Sequence, residues 1–215
     1  MTPTLLALTA LIAVGDWVAV AQRRFRLEYL LKPLTLGLLI LAAVGADLGA
    51  ARPWVIAALG FGLLGDLALM FGRDDGSPDG PFLLGLGSFL VGHVCYLVGF
   101  ARHGLHTLNL LAGVLIVGGA AALTLPPVLR GAKRIAGQEL MAVVAAYAVM
   151  LAAMAALAVG TGSPATAVGG LLFLGSDIAI AHQRFVRSIP RGPLVVIVTY
   201  HLAQLLIVIG LIHHG

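Results

Sequence analysis

Long apolar runs separated by short polar connections recur along the chain, at about 3–22, 30–49, 54–71, 81–101, 107–129, 138–160, 165–183 and 193–213. Each is close to the ~20 residues that carry a helix across a ~30 Å hydrocarbon core. The residue-by-residue alternation of a membrane barrel is absent, and helices are the other structure that satisfies its own backbone in lipid. The pattern predicts an all-α polytopic membrane helix bundle of about eight transmembrane helices. Short connections leave no room for a soluble domain, so residues 1–215 are expected to form a single integral membrane domain. Pro33, Pro81 and Pro193 fall in the first turns of their runs, where proline is tolerated. Pro126-Pro127 predicts a kink or an end late in the fifth run.

The polar positions inside these runs change the picture from scaffold to site. Asp16, Asp66 and Asp177 each sit inside an apolar run, seven residues before Arg23, Arg73 and Arg184. Seven helical residues span about 10 Å, so the three carboxyls are expected at similar depth. An ionisable residue within a membrane helix is costly and marks a functional-site hypothesis by default. The repeated spacing hints at internal duplication, although arginines marking each helix end account for it equally well. Lys32, His93, Tyr200, His201 and Gln204 also lie within runs, whereas Gln138 and Glu139 lie near an interface.

Composition and charge then set orientation. The chain is 60% hydrophobic and 10% charged, which excludes an ordinary soluble domain. Loops after odd-numbered runs hold Arg23, Arg24, Arg26, Arg73, Arg130, Lys133, Arg134, Arg184, Arg187 and Arg191; the other side holds only Arg52 and Arg102. By the positive-inside rule the odd loops are cytoplasmic, and both N and C termini lie outside. Topology and attraction to anionic lipid explain the net charge of +4, so no nucleic acid is needed. The first run is expected to be a retained helix, because its basic cluster follows the apolar stretch instead of preceding it. Cys95 is the single cysteine and excludes an internal disulfide. Arg73 to Gly80 reads as a solvated turn, without the ligand spacing of a calcium loop.

Two chemistries compete for the acids. A Lys32–Asp16 pair would be purely structural, holding two helices together. One lysine cannot neutralise three carboxylates in a low-dielectric site, which leaves Asp66 and Asp177 to supply one protonated acid and one carboxylate. That combination suits general acid work beside a charge stabiliser. His93 shares a helix face with Phe89, Tyr96 and Phe100, and catalytic, binding and packing roles all remain open for it. His182 and His201 with the two acids lack the spacing of a zinc helix, so no metal site is expected. Neither a nucleophile elbow nor a phosphate-binding glycine loop is present.

Five segments in order resemble one known family. Lys32-Pro33-Leu34, Gly65-Asp66 through Met70, Gly85 through Phe89 and His93 to Tyr96, Gly170 through Phe173 to Ser176-Asp177 with Arg184-Phe185, and Tyr200 through Gln204 are similar to the YhhN-like lysoplasmalogenase family. The likeness runs from about Glu28 to the C-terminus. It implies a membrane hydrolase that cleaves the vinyl ether bond of a lysoplasmalogen, releasing a fatty aldehyde and a glycerophospho-base. It also implies that Asp66 and Asp177 are the catalytic pair and that no cofactor is used. Lys32, His93, Tyr96, Ser176, Tyr200 and Gln204 are then the candidate substrate contacts, with Lys32 a point charge for the phosphate. Asp16 lies outside these motifs. Lysophospholipid and bulk membrane lipid are the expected partners, and a bacterial inner membrane is the expected location. The alternatives are a proton-coupled transporter using the acids as a relay, or a hydrolase of another lysolipid.

Overall fold

The computed structural model describes residues 2–71 and 80–212. The acidic connection from 72 to 79, including Arg73, falls outside the described residues. Seven helices among the described residues are long and apolar enough to cross a membrane. They are α1 (Thr2–Ala21), α2 (Phe25–Gly45), α3 (Arg52–Met70), α4 (Gly80–His103), α5 (Thr107–Gly160), α6 (Pro164–Phe185) and α7 (Gly192–Ile212). The count reconciles with eight apolar runs through α5. Its 54 residues would stretch to about 80 Å as one rod, far beyond a bilayer. Instead the backbone leaves helical geometry at Ala136 and Gly137, the latter with φ of 75°, which glycine adopts without a Cβ penalty. The two arms then run back along one another. The His106 amide, just before α5, donates to the carbonyl of Gly160 at its end, at 2.8 Å.

The proline expectations need two corrections. Pro126-Pro127 neither ends nor breaks α5; the break comes ten residues later, where glycine supplies the left-handed turn. Pro33 is not in a first turn, because α2 begins at Phe25 and places the proline two turns in. Elsewhere the starts behave as their residues dictate. Pro53 and Pro164 occupy first-turn positions of α3 and α6, and the Ser163 hydroxyl accepts from the Thr166 amide at 3.3 Å as an N-cap.

Each helix packs on its neighbours in the chain, and α1 also packs on α7, so the order closes into a ring. Close approaches rest on missing side chains. A Cβ on Gly169 would come 2.9 Å from the Ala203 carbonyl oxygen, which is how α6 and α7 touch backbone to backbone. At one end of the bundle Thr2 donates to the Gly45 carbonyl at 3.0 Å, and Ser163 to that of Gly210 at 3.1 Å. At the other end Tyr29 donates to the Met70 carbonyl at 2.7 Å, among the arginine-rich connections. Both described ends of the chain therefore lie opposite the basic face. Outward side chains such as Leu108, Leu115 and Leu123 are exposed leucines, the surface a helix presents to lipid.

Candidate functional site

Polar side chains inside the bundle form two groups, one around each of Asp66 and Asp177. Asp66 lies a turn beyond Gly62 on α3 and is only 2% exposed. Its Oδ1 meets Lys32 Nζ of α2 at 3.0 Å. Lys32 therefore pairs with Asp66 and not with Asp16, which corrects the helix-tie expectation. Asp16 is fully buried on α1, and neither of its oxygens finds a hydrogen bond. Its neighbour Trp17 donates to His201 Nδ1 at 3.3 Å.

On α7, Tyr200 and Gln204 are one turn apart and share the face toward α3. Gly62 is what admits them. A Cβ there would lie 3.0 Å from the Tyr200 hydroxyl and 3.2 Å from Gln204 Nε2. Tyr96 of α4 donates to Gln204 Oε1. The Tyr200 hydroxyl sits between Asp66 and Gln204 without a hydrogen bond of ordinary geometry to either. Asp66 Oδ2, Tyr200 OH and Gln204 Nε2 thus form a group of buried polar atoms lacking protein partners. Buried polar atoms are normally satisfied, and three converging ones fit the requirements of an ordered water.

Around Asp177 of α6 the partners differ. Tyr147, on the second arm of α5, donates its phenol to Asp177 Oδ2. His93 Nε2 lies 3.8 Å from the same oxygen. The imidazole is packed edge-on against Tyr147 and Phe173, with centroids 5.2 and 5.0 Å away. Phe173 in turn meets Tyr200 at 5.4 Å, and Tyr200 meets Phe89 at 5.9 Å. An aromatic wall therefore runs between the two acids. Even so, Asp66 lies within electrostatic reach of Asp177. Ser176 turns away, donating to the Val196 carbonyl at 3.2 Å, so its hydroxyl ties α6 to α7.

Asp177 is also the acid that meets open space. A cleft with about 520 Å³ of empty volume runs between α3, α4, α5 and α6, lined by Leu86, Phe89, Val144, Tyr147, Asp177 and Arg184 among others. Its walls are almost wholly apolar, as suits a hydrocarbon tail. Asp66, Lys32, Tyr200 and Gln204 are not among its lining residues. Arg184 stands at the basic end, its guanidinium carbon 3.5 Å from the Phe82 ring centroid.

The residues named with zinc in mind do not converge. His201 is bound to Trp17, and the His182 ring lies near the Arg187 carbonyl at the basic end. Tyr147 escaped the sequence reading. The available signal was a phenol within an aliphatic helix arm, since a buried tyrosine hydroxyl needs a partner.

Comparison with curated proteins and with solved structures returns no significant match. A family model does match, from just before Glu28, leaving α1 and Asp16 outside it and taking in both acids, Lys32, His93 and all of the polar face of α7. Since the model of the YhhN family spans residues 27–211, most of the chain, this protein belongs to the YhhN family.

Proposed function

We propose that the protein is an intramembrane hydrolase that cleaves the vinyl ether bond of a lysoplasmalogen. Family membership is consistent with a lysoplasmalogenase-like role. The observation that carries the reading is the placement of Asp177 in the wall of an apolar cleft, with a second, ion-paired carboxyl within electrostatic reach. A single-chain lipid fits such a cleft by entering sideways from the bilayer. A vinyl ether needs one proton donor and one negative charge nearby, and little else.

The roles follow from the partners. Asp66 already has its counter-charge in Lys32, whereas Asp177 is held by a phenol and an imidazole. Asp177 is therefore the proton donor. It delivers its proton to the vinyl carbon β to the ether oxygen, and the electron pair of the double bond forms the new C–H bond. The resulting oxocarbenium ion is stabilised by carboxylate charge. Water held by Asp66 Oδ2, Tyr200 and Gln204 adds to the α carbon and loses a proton to the ionised Asp177. The hemiacetal collapses by breaking its bond to the glycerol oxygen, giving aldehyde and alcohol. His93 and Tyr147 position Asp177, while Tyr96 orients Gln204.

The test is aldehyde release from a vinyl ether lysophospholipid by purified protein. Release by the wild type, lost in folded Asp66→Asn and Asp177→Asn variants, supports the reading. Absence of release from both choline and ethanolamine forms turns the assignment toward another lysolipid or toward transport. Activity that survives both substitutions places the chemistry elsewhere.

A further inference from the structure

The ion pair between Lys32 and Asp66 removes the lysine from the role of phosphate partner. Another cation occupies a better place. Arg184 lines the same cleft as Asp177, on the same helix and seven residues nearer the basic end. The rise between them is about 10 Å. A helical side chain leans back toward the N-terminus, so the guanidinium overhangs the turns between the two residues. In a lysoplasmalogen the phosphate and the vinyl ether are separated by the glycerol unit, a span of the same order.

The posture of Arg184 separates it from the arginines that merely mark the basic face. Its guanidinium lies flat over the ring of Phe82, itself part of the cleft wall, and its Nε is buried. Stacking engages the π face of a guanidinium and leaves its N–H groups in plane. Those groups form the fork that grips a phosphate through two oxygens. An arginine free of the cleft would extend into water at the interface instead.

Building on the hydrolase reading, we infer that Arg184, stacked on Phe82, is the phosphate anchor of the cleft. The site is thereby selective for single-chain ether lipids bearing a phosphate over their headgroup-free alkylglycerol counterparts. Anchoring at Arg184 also sets register, holding the reacting double bond beside Asp177 while the tail lies along Leu86 and Val144.

Binding tests this without relying on turnover. The probes are a saturated 1-O-alkyl lysophosphocholine and the matching 1-O-alkylglycerol, neither of which contains a vinyl ether to cleave. Affinity is read by native mass spectrometry of the detergent-purified chain. Wild type is expected to prefer the phospholipid. Arg184→Gln should weaken phospholipid binding on the order of 10- to 100-fold and leave alkylglycerol binding unchanged. Arg184→Lys, which keeps charge but not the fork, should lose less, and Phe82→Leu should lose part of the preference with the cation still present. Thermal unfolding of each variant checks folding, and Arg184→Lys carries the test if the glutamine variant fails it. Equal binding of the two ligands by wild type overturns the inference, as does an equal loss of both in Arg184→Gln. Displacement of the lipid by millimolar inorganic phosphate would assign Arg184 to a free anion and overturn it too. If aldehyde release fails while the binding preference stands and depends on Arg184, the anchor survives and the vinyl ether reading alone falls.

Discussion

Asp66 and Asp177 are both buried carboxyls on adjoining layers of one bundle, yet the protein treats them differently. Asp66 is answered by a full charge, Lys32 at 3.0 Å, and lies off the cleft behind Phe89 and Tyr200. Asp177 is answered by the phenol of Tyr147 and stands in the wall of open, apolar space. An ion pair in low dielectric holds its carboxylate ionised and gives up little to a substrate. A carboxyl held by neutral donors keeps its proton in play and can exchange it with a bound molecule. The lesson is that depth in the membrane makes an acid costly, while the partner decides what it does.

Removing either acid should break the comparison most severely. Asp177→Asn is expected to lower kcat by about 10²–10⁴, the usual worth of a positioned general acid, as measured by aldehyde release. Next comes Lys32→Met, which strands the Asp66 charge. Its cost should be about 3–5 kcal/mol in unfolding experiments. The double variant Lys32→Met with Asp66→Asn should recover most of that stability without recovering activity. A double variant as unstable as the single one would show that the pair does not act as a charge unit.

Smaller changes sharpen the distinction. Tyr147→Phe leaves the ring against His93 but deletes the donor to Asp177, and a net loss of about 1 kcal/mol predicts a roughly fivefold fall in kcat. The equivalent deletion on the Asp66 side, Tyr96→Phe, acts through Gln204 and should fall below that. An equal or larger effect at Tyr96 would place the reacting water under tighter control than the acid. The smallest effect is expected at Ser176. Its hydroxyl links helices, so Ser176→Ala should cost about 0.6 kcal/mol of stability, typical of such bonds in membrane bundles, with kcat unchanged.

Much of this division was legible before any coordinates. The aspartates announce themselves because nothing in an apolar run explains them, and their similar distance from flanking arginines places them at one depth. Which acid Lys32 would meet was not legible. Asp16 and Asp66 lie at comparable depths on helices flanking α2, and side-chain direction around α2 decides between them. Tyr147 was hidden for a related reason. A tyrosine among alanines and valines reads as packing until a carboxyl from another helix arrives opposite it. Arg184 read as a boundary marker, since only its stacking on Phe82 distinguishes it from its neighbours.

The sequence by itself determined the membrane-spanning helical architecture, the basic face and the presence of buried acids. Each follows from local physics: the length of an apolar run, the cost of charge in hydrocarbon, and the asymmetry of cations between loops. Tertiary structure alone decided which acid is sealed and which is open. It also carried the α5 turn past Pro126-Pro127 to Gly137, and gathered Tyr147, His93 and Asp177 from three separate helices. Those outcomes depend on the rotation of each helix about its axis and on backbone approaches such as that at Gly62. Helix rotation is set by the packing of every neighbour at once, which a single chain's pattern does not encode locally.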